Sequence, residues 1–387
     1  LEKPEFTNIK NIYFEGTDNH LLILKNLNGG LVENCVFDGN GRFIATPNIN
    51  GINLVSGPNG NSDITVTGSL FKDGLYVGIG GYADGLTVQT SELTNVKSGI
   101  NLQGGGNLVV TDSTFLTKPV SDGDSYGIRF ASASGATPNL TVTGSTFNID
   151  DSLGFDPASG DYHAALYIRA GATGSLELDK NQILGDVVQL STTSLDASPN
   201  WWGSAAGPTA AQIVGIADYI PWCGDAACTF LVSATEPAVN GFYVQGGKLI
   251  LKGAISKIGG IVINEPLYIL LKDGAVIQNS SPCFIVNSSN VHIDTESIGG
   301  AKCVPTSGAN GIDVASALNN ITIQGIEFDG TGQTTGDGIH FAGAVSDIVL
   351  VDNYLHDLDG DGIEFAGNVA EIVNIQGNMF KNNAGYG

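Results

Sequence analysis

The feature that most constrains this chain is a pair of short motifs that recur along it. The opening motif is Gly followed by apolar, variable and apolar residues; the closing motif ends in Phe or Leu after a polar corner. Within each motif apolar and polar residues alternate with period two, which indicates β-strands. Several copies end a little over twenty residues after the copy before. Opening motifs stand at Gly51–Leu54, Gly74–Val77, Gly99–Leu102, Gly127–Phe130, Gly311–Val314, Gly338–Phe341 and Gly362–Phe365, and closing motifs at Val66–Phe71, Val110–Phe115, Val142–Phe147, Ile323–Phe328 and Ile375–Phe380.

Such a unit cannot bury an apolar core alone, whereas a stack of units can. The repeats contain no helical stretch with an apolar stripe. The sequence therefore predicts an all-β solenoid, the parallel β-helix, in which each coil lies about 4.8 Å above the last and Ile, Leu, Val and Phe form inward columns. Gly and Asn at the corners accept positive φ angles.

The repeat is interrupted once, at residues 198–234. The ladder is expected to stop near Val187–Leu190, and Ala210–Ile216 could form a short helical turn. Three Trp residues, with Gly and Pro, suit a lid over the open end of a coil stack: Trp201, Trp202 and Trp222. We predict a first β-helical block at 1–197, a capping and linking segment at 198–234, and a second block at 235–387. A new ladder is expected from Phe230, with the apolar strands Lys248–Leu251 and Leu267–Leu271 as its first strands.

Composition excludes some classes of function. The net charge is −23, with 39 Asp and Glu against 16 Lys and Arg, so nucleic-acid binding is not expected. No apolar run reaches the length of a membrane span. A chain this acidic suits an extracellular or cell-surface setting, where salt and divalent cations screen its self-repulsion.

The five cysteines of the chain indicate whether it folds in an oxidising or a reducing compartment. Cys223 and Cys228 flank a short polar loop, and stacked coils would bring Cys283 close to Cys303. Disulfides Cys223–Cys228 and Cys283–Cys303 would leave Cys35 free, a count that fits an exported protein. The alternative is that all five are small buried apolar residues.

The repeats resemble the right-handed parallel β-helix repeat proteins. The segment Asn200–Ser204 with Gly207–Pro208, followed by Asp218–Trp222, resembles the terminal segment of β-helical blocks in large secreted bacterial adhesin-like and surface proteins. The resemblance of the repeats covers nearly the whole chain, whereas that of the terminal segment is local. It implies a fold more than a function, because such proteins include lyases, hydrolases, adhesins and surface-layer components.

Enzymatic sites find little support in the sequence. A lyase-like site would need Arg129 or Arg169 on an exposed sheet near the acids Asp150, Asp151, Asp156 and Asp161. A hydrolase would need paired carboxylates, for which Asp150 and Asp151, helped by His163, are the candidates. No nucleophile elbow is present. We predict that the chain is not an enzyme, with a polysaccharide lyase or hydrolase as the minor alternative.

Two kinds of binding site remain open. Asp357, Asp359 and Asp361 alternate as the ligands of a Ca²⁺ loop do, but a plain polar corner has the same sequence, so no cofactor is required and Ca²⁺ is an option. The outward tyrosines Tyr76, Tyr82 and Tyr126 could stack on sugars. A carbohydrate-binding adhesin module is therefore the second hypothesis, with extracellular polysaccharide as its partner.

The leading hypothesis is structural. The chain begins and ends within a repeat, so the last and first segments read as two parts of one unit. An uncapped coil exposes backbone groups and apolar columns that another copy can pair, and such a contact propagates. This predicts a head-to-tail homopolymer: a filament, sheath or surface layer. The expected interface residues are Leu1, Phe6, Ile9, Ile12, Phe14, Phe380, Tyr386 and Gly387.

Overall fold

The computed structural model divides the chain into two compact units. The first comprises residues 1–203 and 207–229, and the second comprises 204–206 and 230–387. The structure describes residues 8–16, 20–41, 49–55, 61–104, 106–117, 124–131, 137–149, 163–209, 211–215, 217–256, 259–280, 282–306, 308–332, 336–369 and 373–386. In these ranges every regular secondary-structure element is a β-strand. No helix in them is long and apolar enough to cross a membrane.

The first unit is a stack of coils with three parallel sheets. Sheet A contains β1 (Ile9–Lys10), β4 (Asn28–Glu33), β7 (Ser62–Thr67), β10 (Gly85–Gln89), β13 (Asn107–Thr111), β16 (Leu140–Thr143), β19 (Leu176–Asp179), β22 (Leu195–Asp196) and β24 (Ala217–Asp218). Sheet B contains β2 (Tyr13–Glu15), β5 (Val36–Asp38), β8 (Leu70–Lys72), β11 (Glu92–Val96), β14 (Thr114–Thr117), β17 (Thr146–Asn148) and β20 (Gln182–Leu184). Sheet C contains β3 (Leu22–Lys25), β6 (Asn50–Val55), β9 (Val77–Gly81), β12 (Ser98–Gln103), β15 (Ser125–Ala131), β18 (His163–Ile168), β21 (Val187–Gln189) and β23 (Ile213–Val214). The short strand β25 (Trp222–Cys223) follows.

The second unit repeats this arrangement after a different start. Sheet D contains β26 (Leu231–Ser233), β27 (Gly241–Gln245), β28 (Lys248–Lys252), β31 (Leu267–Leu271), β34 (Val291–Thr295), β37 (Leu318–Gln324), β40 (Val345–Val351) and β43 (Val373–Gln376). Sheet E contains β29 (Ala254–Ser256), β32 (Val276–Ser280), β35 (Ala301–Pro305), β38 (Ile326–Asp329), β41 (Tyr354–His356) and β44 (Met379–Lys381). Sheet F contains β30 (Ile261–Ile263), β33 (Phe284–Val286), β36 (Ile312–Val314), β39 (Ile339–Phe341) and β42 (Ile363–Phe365).

These sheets confirm the predicted fold class: two β-helical blocks in one chain. Successive coils pair in parallel and in register, as in Leu86↔Leu108 and Ile323↔Leu350. The inward residues are buried and stack in columns. In sheet B the column is Phe14, Phe37, Phe71, Leu93, Phe115, Phe147 and Ile183.

Four glycines near the starts of sheet C strands, Gly51, Gly78, Gly99 and Gly127, have a steric cause. A Cβ on Gly99 would lie 2.5 Å from the carbonyl oxygen of Gly127 and 2.6 Å from the ring of Phe115. Any side chain there would push neighbouring coils apart, since real Cβ atoms do not approach this closely. The recurring Gly therefore lets each inward Phe fill the corner of its coil.

A tight corner joins sheet A to sheet B in each coil, and its first residue has a positive φ angle. Asn11 at 56° and Asn34 at 52° are examples, and Gly377 has the equivalent place in the second unit at 70°. Gly and Asn reach this conformation at low cost.

The residue after each of these corners points inward and is often polar. In the first unit these polar residues form a buried ladder, in which each backbone N–H donates to the side chain one coil further on: Ser69, Ser91, Ser113, Ser145, Asn181 and Asn200.

The interrupting segment differs from the sequence expectation. The ladder does not stop at Leu190: β22, β23 and β24 extend sheets A and C. The predicted helical turn at 210–216 is wrong, because Ile213–Val214 pairs in parallel with Val187–Val188; residues 210 and 216 lie outside the described ranges. Backbone pairing with the preceding coil has overridden local propensity. The predicted boundaries of the capping segment stay predictions.

The second stack does not begin at Lys248–Leu251 as expected. β27 precedes it and pairs antiparallel with β28 through a turn at Gly246–Gly247, both at positive φ. In this hairpin β27 pairs with the edge of β28 that faces away from β31. The apolar strand β28 is therefore covered by a neighbouring strand of the same chain.

Candidate functional site

The coil formed by β42, β43 and β44, here called the terminal coil, has exposed apolar side chains. Ile375 is 48% exposed, whereas Leu350, its register partner one coil earlier, is fully buried. Phe380 is 36% exposed above the fully buried Leu355. Met379 and Tyr386 are more exposed still. The inward columns of the second unit thus end on a face that no described coil covers.

The first described coil of the first unit, β1 to β3, has a similar face. Ile12, Tyr13 and Ile23 are exposed apolar residues, while Ile9 and Phe14 are half-buried. The ring of Phe14 stacks on that of Phe37 with centroids 4.8 Å apart. Leu1, Phe6 and Gly387, which the sequence also placed at an interface, lie outside the described ranges.

A second candidate lies on the outer face of sheet E. We call it the acid–base row: Lys302, Glu327, Asp329, His356 and Asp357. Lys302 Nζ lies 2.8 Å from Glu327 Oε1 and 2.9 Å from Asp329 Oδ2. His356 Nε2 lies 3.0 Å from Glu327 Oε1, and its Nδ1 lies 2.7 Å from Asp357 Oδ2. Three neighbouring strands bring these groups together, since Lys302 pairs with Glu327 and Asp329 with His356.

The charges in the row stabilise one another. Burial alone would raise the pKa of Asp329, but hydrogen bonds from Thr331 and Lys302 outweigh it and hold that pKa at about 2. The hydrogen bond to Glu327 raises the pKa of Lys302. Burial opposes the charged form of His356, yet hydrogen bonds to Asp357 and Glu327 raise its pKa above the ordinary value. The row is therefore a charged network on a rigid sheet.

The three aspartates predicted to bind Ca²⁺ have separate partners. Asp357 contacts His356 and accepts a hydrogen bond from Asn382 Nδ2 at 3.0 Å. Asp361 Oδ1 accepts the backbone N–H of Tyr386, while Asp359 is exposed. Among the described residues, the convergent set of possible metal ligands is Glu327, Asp329 and His356. Calcium at the predicted triplet stays a prediction.

Both disulfides expected from the sequence are present. Cys223–Cys228 spans 4.7 Å between Cα atoms and Cys283–Cys303 spans 6.1 Å. Cys35 is a free, buried thiol. It lies in the polar ladder, where its backbone N–H donates to Ser69 Oγ.

The tryptophans lie where the first unit's coils finish. Trp202 and Trp222 are buried, and Trp201 is half-buried and bridges to Gln182. Beside them Asn200 ends the polar ladder, fully buried. A capping role for these rings stays a prediction.

The residues considered for lyase or sugar chemistry are not brought into one described site. Arg129 donates to Asn101 Oδ1 at 2.9 Å, and Arg169 is exposed. The acids Asp150, Asp151, Asp156 and Asp161 lie outside the described ranges. Tyr76 and Tyr82 are exposed, but Tyr126 is buried and stacks on Tyr167, so its ring is not open to a sugar. The Tyr126 ring packs in a small buried cluster with Ala164 and Val188.

Comparison with known proteins gives remote likenesses only. The sequence matches no protein-family model and no curated protein. Among solved structures, a variant of the PL6-family alginate lyase AlyGC is 10% identical, covering 100% of this chain and 78% of that one, with a TM-score of 0.23. The Streptococcus pneumoniae surface protein and adhesin PfbA is 13% identical, covering 98% and 90%, with a TM-score of 0.28. A second structure of PfbA is 14% identical, with 98% of this chain and 85% of that chain covered and a TM-score of 0.25. Likeness at this level carries no functional argument.

Proposed function

We propose that this chain is a non-enzymatic structural protein of the extracellular space or cell surface, which assembles head-to-tail into a filament, sheath or surface layer. The observation that carries the proposal is the exposed terminal coil, whose apolar columns have the geometry of an interior coil. In the assembly, the first coil of a second copy covers the exposed face of the terminal coil. Water-exposed apolar columns and an unpaired sheet edge favour such an addition.

Complementarity of the two coils supports this occupant. Ile375–Lys381 and Ile9–Glu15 have the same plan: a strand, a residue with positive φ at Gly377 or Asn11, and a second strand. Continued in the register of the coils below, Ile375 meets Ile9, Phe380 meets Phe14 and Lys381 meets Glu15. The apolar columns then run on, and the last pair joins opposite charges.

The backbone offers matching donors and acceptors. Between interior coils, the corner N–H of Asp352 donates to Gln376 and that of Asp357 donates to Lys381, while Met379 donates back to Asn353. The equivalent bonds across the proposed contact join Gly377 N–H to Lys10, Asn382 N–H to Glu15, and Tyr13 N–H to Asn378. Each of these bonds would continue the backbone ladder of the coils below across the contact.

The same contact explains why assembly would not stop at two copies. The donor face and the acceptor face are different surfaces, so the contact is heterologous and leaves a free face at each end of every oligomer. Two disulfides support a location outside the reducing cytoplasm.

Cysteine cross-linking tests the register directly. Met379 and Tyr13 are 60% and 55% exposed and would be neighbours across the contact. Chains carrying Met379→Cys and chains carrying Tyr13→Cys, mixed under mild oxidation, should form a disulfide-linked dimer on a non-reducing gel. Met379→Cys mixed with Ile23→Cys is the matched control, because Ile23 is equally exposed but lies in sheet C. Equal cross-linking in both mixtures, or none in either, would reject the proposed contact.

A further inference from the structure

We propose that Glu327, Asp329 and His356 form a binding site for a divalent transition-metal ion of the Zn²⁺ class. In this view Lys302 is the counter-ion that holds the two carboxylates when no metal is bound. The proposal is independent of assembly, because the site lies on the outer face of sheet E and not on a coil end.

The ligand atoms are already close. One ligand atom from each of the three side chains lies within 4.8 Å of the other two, and His356 Nε2 is 3.0 Å from Glu327 Oε1. Zinc binds carboxylate oxygen and imidazole nitrogen at about 2.0–2.2 Å, so ligand atoms of a tetrahedral site are about 3.3 Å apart. A side-chain rotation of Asp329 covers the difference, while the paired strands keep the backbone in place.

Asp357 orients the imidazole for this task. Its Oδ2 lies 2.7 Å from His356 Nδ1 and holds that nitrogen as a donor, while Nε2 faces Glu327 at 3.0 Å, where a metal ion would replace the Nε2 hydrogen. A metal-ligating His commonly donates its second ring N–H to a carboxylate, and that contact strengthens ligation. The imidazole also separates this site from a Ca²⁺ site, whose ligands are oxygens.

Lys302 gives the site a competitor inside the protein. Its ammonium lies within 2.9 Å of both carboxylates, and its side chain is 32% exposed, so it can swing into water when a dication enters. Replacing it with an uncharged side chain should strengthen metal binding. A purely structural ion-pair network makes no such prediction.

The first unit supplies a contrast. On sheet B, Lys72 Nζ lies 2.8 Å from Asp38 and 3.0 Å from Asp73. The cluster has two carboxylates and one ammonium, as in the acid–base row, but the described contacts include no imidazole. Asp38→Asn is therefore a matched control for non-specific binding to an acidic surface.

The experiment is a titration of the metal-free full chain with Zn²⁺ by calorimetry, and with Co²⁺ followed by visible absorption. We expect one site, weakened at least about tenfold by Glu327→Gln and by His356→Gln, and about 10–100-fold by Asp357→Asn. Lys302→Met should tighten it, and Asp38→Asn should leave it unchanged.

Circular dichroism of each variant checks that it has folded before its metal binding is compared. Any one of three results overturns the proposal: no Zn²⁺ binding in the micromolar range, binding that His356→Gln leaves intact, or equal competition by Ca²⁺. Weaker binding by folded Lys302→Met would also overturn it.

Discussion

Removal of the Asn200 side chain should be among the most damaging substitutions in the first unit. Asn200 is fully buried, and its Nδ2 donates to the carbonyl oxygens of Leu178 at 2.8 Å and Ala197 at 2.6 Å. Its Oδ1 accepts from the backbone N–H of Asn181 at 2.8 Å and from Asn181 Nδ2 at 2.9 Å. Asn200→Ala removes all four bonds and leaves buried groups without partners.

At about 1 kcal/mol net for each hydrogen bond, the four bonds give an expected loss of about 3–5 kcal/mol in the free energy of unfolding. The chain has three Trp residues, all in the first unit, so Trp fluorescence during urea denaturation reports that unit selectively. Asn28→Ala is the control, because the Asn28 side chain is exposed and accepts from Ser62 at the surface; it should change stability by no more than about 0.5 kcal/mol. A loss below about 1 kcal/mol for Asn200→Ala would refute the reasoning.

Three further predictions concern other contacts. Gly99→Ala should destabilise the first unit by about 2 kcal/mol or more, since its Cβ would meet the Gly127 carbonyl oxygen at 2.5 Å; a neutral result in the same fluorescence assay would contradict this. Burial opposes the ionised form of Asp38, but hydrogen bonds from Lys72 and Tyr13 lower its pKa below the ordinary 3.8. The ionised carboxylate therefore stabilises the fold above about pH 4, and this stabilisation is lost as the pH falls. Asp38→Asn should make the free energy of unfolding less dependent on pH in acid, and an unchanged dependence would count against the pairing. Replacing Cys283 and Cys303 by Ser should cost the second unit about 3 kcal/mol, measured by far-ultraviolet circular dichroism during denaturation, and a loss below about 1 kcal/mol would contradict this.

The fold could be predicted because the repeat carries two separate signals for it. Period-two alternation gives strands, and the Gly and Phe positions recur at the coil interval, so a stacked parallel fold follows from residues such as Gly99 and Phe115. The disulfide Cys283–Cys303 was expected from the same interval and does join adjacent coils, although the register partner of Cys303 is Ile277 and not Cys283.

The interrupted segment could not be predicted in the same way. Ile213–Val214 has no repeat motif around it and became a strand because the edge of Val187–Val188 offered a partner. The hairpin of β27 and β28 also breaks the parallel rule, and only the turn Gly246–Gly247 signals it. In both places tertiary pairing, not local sequence, decided the structure.

The acid–base row was missed for a related reason. Lys302, Glu327 and His356 are distant in sequence, and the lengths of their coils differ, so a fixed interval does not align them. A signal was present: polar residues at outward positions of successive closing strands, Lys302↔Glu327 and Asp329↔His356. Aligning the closing motifs first and reading their outward positions across coils would have found it.

Sedimentation velocity of the full chain over a range of concentrations tests the central claim most directly. Head-to-tail coil addition predicts a series of growing species built from the 40.0 kDa chain. Lys381→Glu should suppress the series, because it places two carboxylates at the contact, and Glu15→Lys in the partner copy should restore it. A single monomeric species at every concentration, or growth that Lys381→Glu leaves unchanged, would contradict the account.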